Sequence, residues 1–159
     1  MNIKQKITPF LCFDSTAEEA VNFYVSVFPN SRILDVARYG KAGPGPEGSV
    51  MCIAFELAGQ AFAAINAGPL FKFTGAISLY VDCENQQEID RLWETLGHGG
   101  EGHDCGWLTD RYGVTWQINS WELPEMMLDA DPARVERAMR AMMQMKKINL
   151  AKMRKAYAG

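Results

Sequence analysis

Shifted by 68 positions, this sequence falls back onto its own pattern. Leu11 then lies on Leu79, Phe13 on Val81 and Asp14 on Asp82. Further along, Val21 meets Ile89, Tyr24 meets Leu92 and Phe28 meets Leu96. Each half opens with a strand-like stretch, Ile7–Phe13 or Ala76–Val81, that runs into an aspartate. Each continues into a segment whose apolar residues recur at helical spacing: Ala17, Ala20, Val21, Tyr24, Val27 and Phe28 in one, Ile89, Leu92, Trp93 and Leu96 in the other. A matched order of elements is harder to reach by chance than matched apolar content, so duplication of a strand–helix–several-strands module is the reading.

Local signals fill in the module. Ser15 with Glu18, and Asn85 with Glu88, have the spacing of capping boxes. Pro29-Asn30 and Gly97 are natural helix stops. Strands follow at Ser31–Tyr39, Ser49–Leu57 and Gln60–Asn66 in the first half, and at Gly106–Thr109 and Val114–Asn119 in the second. Between Gly97 and Gly106, the tract from His98 to Cys105 gathers both histidines with a carboxylate and a thiol. Its glycines and its lack of a zinc-ligand spacing predict a mobile, solvated loop.

Beyond the repeat, Asp131-Pro132 starts a helix with Val135, Ala138, Met139, Met142 and Met145 on one face, and Asn149 caps a last short one. From Pro132 onward the chain carries eight basic residues against Glu136, whereas the remainder has eight basic and 18 acidic residues. A basic tail with only Tyr157 to stack on bases fits docking on an acidic body, its own or a sister subunit's, better than nucleic acid. No apolar run reaches the roughly 20 residues that span a bilayer, and the N-terminus lacks a signal peptide's apolar core. Cys12, Cys52, Cys83 and Cys105 form no CxxC and read as free thiols of a cytoplasmic protein.

The blocks ITPFLCFDSTAEEAVNFYVSVFPNS, RYGKAGPGPEGSV, NAGPLFKFTGAISLYVDC and CGWLTDRYGVTWQIN, with the MMQMKKIN and KAYAG tail, resemble the PhnB-like family. That family often carries the name 3-demethylubiquinone-9 3-methyltransferase and belongs to the glyoxalase/bleomycin-resistance/dioxygenase (vicinal oxygen chelate) superfamily. The resemblance implies an α+β fold of two βαβββ modules enclosing a cup, and a homodimer. On this chain the modules fall at 7–67 and 75–120, with C-terminal helices at 131–157, in a single domain spanning 1–159.

Metalloenzymes of this superfamily hold a divalent ion with His, Glu or Gln from two strands of each module. The matching positions here are Thr8 or Pro9, Ala64 or Asn66, Ala76 or Ser78, and Gln117. At most one is a good donor, so no metal and no other cofactor is expected. Alternation along the strands suggests a pocket lined by Phe10, Cys12, Asn66, Ser78, Trp107 and Gln117, with Trp116 turned into the core and Phe71 and Phe73 near the rim. Such a lining suits a small organic ligand. Two functions stay open: a metal-free binding module with no assured catalysis, or an enzyme acting on an oxygenated organic substrate, for which Cys105 or Cys12 would be the reactive group. The methyltransferase name meets an obstacle in Asp14-Ser15-Thr16-Ala17, which is no glycine-rich nucleotide turn.

Overall fold

The computed structural model describes residues 3–159, which divide into two compact units with the boundary between Phe73 and Thr74. The first unit contains β1 (Phe10–Phe13), α1 (Ala17–Val27), β2 (Arg32–Arg38), β3 (Val50–Leu57) and β4 (Gln60–Asn66). The second contains β5 (Leu79–Asp82), α2 (Gln86–Gly97), β6 (Glu101–Gly102), β7 (Trp107–Thr109) and β8 (Thr115–Asn119). It continues into α3 (Glu122–Met127), α4 (Pro132–Met142) and α5 (Leu150–Ala158). The sheets have orders β1-β4-β3-β2 and β5-β8-β7-β6. In each, the strand before the helix pairs parallel with the last strand, and the other pairings are antiparallel. The same βαβββ topology thus occurs twice, as the repeat requires.

The offset of 68 also survives at the level of side-chain direction. Leu11 and Phe13 pair with Ala64 and Asn66, while Leu79 and Val81 pair with Trp116 and Ile118. Paired residues share a face of a sheet, and these are the faces covered by the helices. Val21 and Tyr24 in α1, like Ile89, Leu92 and Leu96 in α2, are completely buried. Each such aliphatic side chain contributes about 1.5–3 kcal/mol on leaving water.

Two expectations need correction. The tract His98–Cys105 is not simply a solvated loop: β6 lies within it and completes the second sheet. His103 Nε2 lies 2.9 Å from Thr109 Oγ1, and the His103 N–H donates to the Trp107 carbonyl at 2.8 Å. A two-residue strand carries no readable alternation, and glycine at 102 is demanded by the Trp93 ring, 2.8 Å from where a Cβ would stand. The Ser15–Glu18 capping box is also absent. Thr16 occupies the cap position without a side-chain bond, and Asn66 Oδ1 instead accepts the Ala17 N–H at 2.9 Å. In α2 the cap is local: Asn85 Oδ1 accepts the Glu88 N–H at 3.0 Å, while Glu88 Oε2 reaches back to the Glu84 N–H at 2.9 Å.

The tail docks on its own unit. Asp131 and Asn149 cap α4 and α5 as expected, through the Ala133 and Lys152 N–H groups. Ile148, Leu150 and Met153 are buried, and Gln86 bridges to the Ile148 carbonyl and the Leu150 N–H. Lys147 pairs with Asp90 at 2.7 Å, and Arg154 with Glu122 at 2.7 Å. Two backbone bonds of 2.7 Å, from Cys105 and Gly106 to the Met145 and Lys146 carbonyls, strap the tail to the second unit. The six-residue α3 was not foreseen, being too short for a periodic signal. Among the described residues no helix is long and apolar enough to cross a membrane.

Candidate functional site

The second unit gathers three of the expected residues. In the sheet, Gln117 is flanked by Tyr80 on one side and Trp107 on the other, so the three side chains form a row on the face opposite α2. Gln117 Nε2 donates to Ser78 Oγ at 2.8 Å. Asn119, two residues further along β8, continues the same face. Together with Cys105, the residues Tyr80, Trp107, Gln117 and Asn119 form the floor of a cavity of about 200 Å3. Leu123, Pro124 and Met127 from the α3 segment and Met142 from α4 form its roof.

Most polar atoms of this floor are already engaged. The Tyr80 hydroxyl donates to the Ser120 carbonyl at 2.9 Å, and its ring stacks on Trp121 with centroids 4.7 Å apart. Asn119 Nδ2 donates to the Cys105 carbonyl at 3.2 Å. Asn119 Oδ1 is different: it is buried and, among the described residues, accepts no hydrogen bond. A buried carbonyl oxygen without a donor costs about 1–3 kcal/mol, and such atoms call for an explanation.

Electrostatics make the floor neutral. Burial, reinforced by the Asp82 charge, pushes the Tyr80 phenol up to about 12. Burial, with Asp104 nearby, also raises the Cys105 thiol above its usual value. Cys105 therefore stays a thiol at neutral pH and is a poor nucleophile. Its Sγ lies 3.7 Å from Met143 Sδ, and its backbone takes the left-handed conformation at φ 59°.

In the first unit the register places Phe10 and Cys12 on the face turned away from α1, with Cys12 beside Ile65, which in turn pairs with Cys52. Phe10 is 49% exposed. Asn66 belongs to the other face. Its carboxamide caps α1 and donates to the Val50 carbonyl at 3.0 Å, and it also borders a cavity of about 390 Å3 with Tyr39, Asp14 and Ser15. Neither Phe10, Cys12 nor Asn66 lines the cavity of the second unit. Phe73 packs edge-on against Phe13 at 5.1 Å, whereas Phe71 is exposed. Trp116 is buried, as expected from its alternation with Gln117, and its indole N–H donates to Asp110 at 2.8 Å.

Tyr80, Cys105, Asn119, Met127 and Met142 were not among the expected lining. Asn119 was legible in principle, since it keeps step with Gln117 in TWQIN. The roof was not, because nothing local says which sheet face a distant tail will cover.

The donor positions inherited from metalloenzymes do not fit a divalent ion. The second unit offers a serine hydroxyl bonded to a glutamine amide, and the first offers Ala64 and a carboxamide engaged in capping. Among the described residues no three His, Cys, Asp or Glu side chains converge. Such a donor set lacks the charge and number a divalent cation requires.

The two βαβββ units define the glyoxalase, or vicinal oxygen chelate, fold class. A family model described as 3-demethylubiquinone-9 3-methyltransferase matches residues 5–119, and the chain belongs to that family, the PhnB-like proteins. The matched stretch stops before α3, so the tail lies outside it. Among solved structures, the chain is similar to a PhnB protein from Bacillus cereus that carries the same methyltransferase name: 44% identity, TM-score 0.68, covering 73% of this chain and 98% of that one. PA1353 from Pseudomonas aeruginosa shares the fold at 23% identity and TM-score 0.59, covering 71% of this chain and 95% of its own. No curated protein matches the sequence.

Proposed function

We propose that the chain binds a small organic molecule in the cavity of its second unit, with Trp107, Gln117, Ser78, Tyr80 and Asn119 as the binding residues. The observation that carries this reading is the row of Tyr80, Gln117 and Trp107 on the sheet face opposite α2, roofed by Leu123, Pro124, Met127 and Met142 around a neutral, largely apolar cavity of about 200 Å3. Ligand sites combine apolar walls with a few fixed polar groups, here the bonded pair Gln117 and Ser78. No thiolate chemistry is assigned to the site: burial and the neighbouring Asp104 charge hold the one thiol in its wall protonated.

Native mass spectrometry of freshly purified protein tests the reading, with quenching of tryptophan fluorescence, compared with Trp107→Phe, during a fragment screen as a second readout. A retained or titratable small molecule is expected, and its binding should weaken in Gln117→Leu. Failure of every fragment to bind at millimolar concentration, with no retained mass, would end the proposal. The methyltransferase activity in the family name is left out because neither unit has the doubly wound sheet or the glycine-rich turn that holds a nucleotide-like cofactor. Micromolar binding of S-adenosylmethionine in calorimetry would reverse that judgement.

Four free thiols suit a reducing cytoplasm, and the family resemblance suggests that the two units work as one domain within a homodimer. Sedimentation at about twice the 17.8 kDa chain mass is the expected outcome.

A further inference from the structure

We infer that the cavity of the second unit selects an uncharged, planar aromatic molecule of one or two rings, and that the methionine roof sets this limit. The inference rests on the binding reading above and names its ligand class.

Size comes first. An apolar cavity of about 150 Å3 accommodates benzene, so the 200 Å3 present here takes a single or fused pair of rings and little more. Shape and surface point the same way. Trp107 and Tyr80 flank Gln117 on the floor, and three sulfur-bearing residues, Cys105, Met127 and Met142, complete the walls. Thioether sulfur makes favourable contacts with aromatic rings, and the unbranched methionine side chain adapts to admit one. The roof residues lie beyond the stretch matched by the family model, so this selection is a property of the tail rather than of the shared modules.

Charge excludes much of the rest. No carboxylate, lysine, arginine or histidine lines the cavity. An ion entering it would lose its hydration without gaining a counter-charge. The polar groups of the floor add no demand of their own: Gln117 Nε2 donates to Ser78 and Asn119 Nδ2 to the Cys105 carbonyl, and Asn119 Oδ1 is shut off from the cavity. Affinity therefore comes from ring contacts with Trp107, Tyr80 and the methionines.

Ligand-observed NMR titrations with indole, phenol, toluene, benzoate and benzylamine test the inference. Indole, phenol and toluene should all bind, and benzoate and benzylamine, whose charges find no counter-charge in the cavity, should not. Met142→Ala should shift preference from phenol toward 2-naphthol by several-fold. Benzoate or benzylamine binding as tightly as toluene, or an unchanged preference in Met142→Ala, would overturn the ligand class while leaving the binding reading intact. Silence from all five probes together with no retained mass would overturn both.

Discussion

Asp110 offers a demanding test of how the site is held. Its carboxylate is 3% exposed and accepts the Trp116 indole N–H at 2.8 Å, the Tyr112 N–H at 2.8 Å and the Val114 N–H at 3.0 Å. These bonds close the β7–β8 turn, and that turn fixes the register that sets Trp107 beside Gln117. In Asp110→Ala the indole and the Val114 amide lose this acceptor inside the protein. Each stranded donor costs about 1–3 kcal/mol, so the expected total is about 3–5 kcal/mol, in the range for breaking a buried charged network. Asp110→Asn keeps the shape but turns an amide NH2 or an oxygen toward each donor, and should cost about 2 kcal/mol. Urea unfolding followed by circular dichroism and tryptophan fluorescence measures both. The double variant Asp110→Ala, Trp116→Phe should cost at least 1 kcal/mol less than the sum of the single changes, because the indole donor is then gone. A loss below about 1 kcal/mol in Asp110→Ala, or strict additivity, would refute the idea that this carboxylate organises the turn.

Other outcomes follow from the same geometry. Gly106→Ala should destabilise by about 2–4 kcal/mol in chemical denaturation, since φ is +81° and the new Cβ would stand 2.8 Å from the Ile118 carbonyl oxygen. Asn66→Ala should cost about 1–2 kcal/mol by uncapping α1, whereas Ser15→Ala should be nearly silent. Acid should loosen the tail before the sheets unfold. Hydrogen bonds from Lys147 to Asp90, Arg154 to Glu122 and Tyr157 to Asp129 hold these carboxyls below their ordinary values. Their contribution is present above the unfolded carboxylate range and is lost as pH falls below about 4 through the lower folded values. Brief pepsin digestion at stepped acid pH should therefore cut first between residues 120 and 150; first cuts inside either βαβββ unit would contradict this order.

Much of the fold was legible because the periodicities are long and repeated: both helix faces and the strands pairing with them follow from the offset of 68. The site was legible only where alternation and register agree. Gln117 and Trp107 could be placed because Trp116 and Leu108 between or beside them are plainly core. Asn66 could not, because its direction depends on pairing with Phe13, a contact more than fifty residues away in sequence. The strand β6 and helix α3 are too short to carry a period. The roof depends on long-range docking through Gln86, Ile148 and the backbone strap at Cys105 and Gly106, none of which has a local signature.

The two helix starts have a consequence for how duplicated halves diverge. One half borrows an asparagine from its last strand to begin α1; the other carries its cap, Asn85, in the helix's own lead-in. With α2 capped from its own lead-in, its last strand carries no such duty. Ile118 fills the core position equivalent to Asn66, and the polar residues of that strand, Gln117 and Asn119, stand on the opposite side. Two copies of one topology thus constrain their last strands differently: β4 must keep a carboxamide for its helix, and β8 need not.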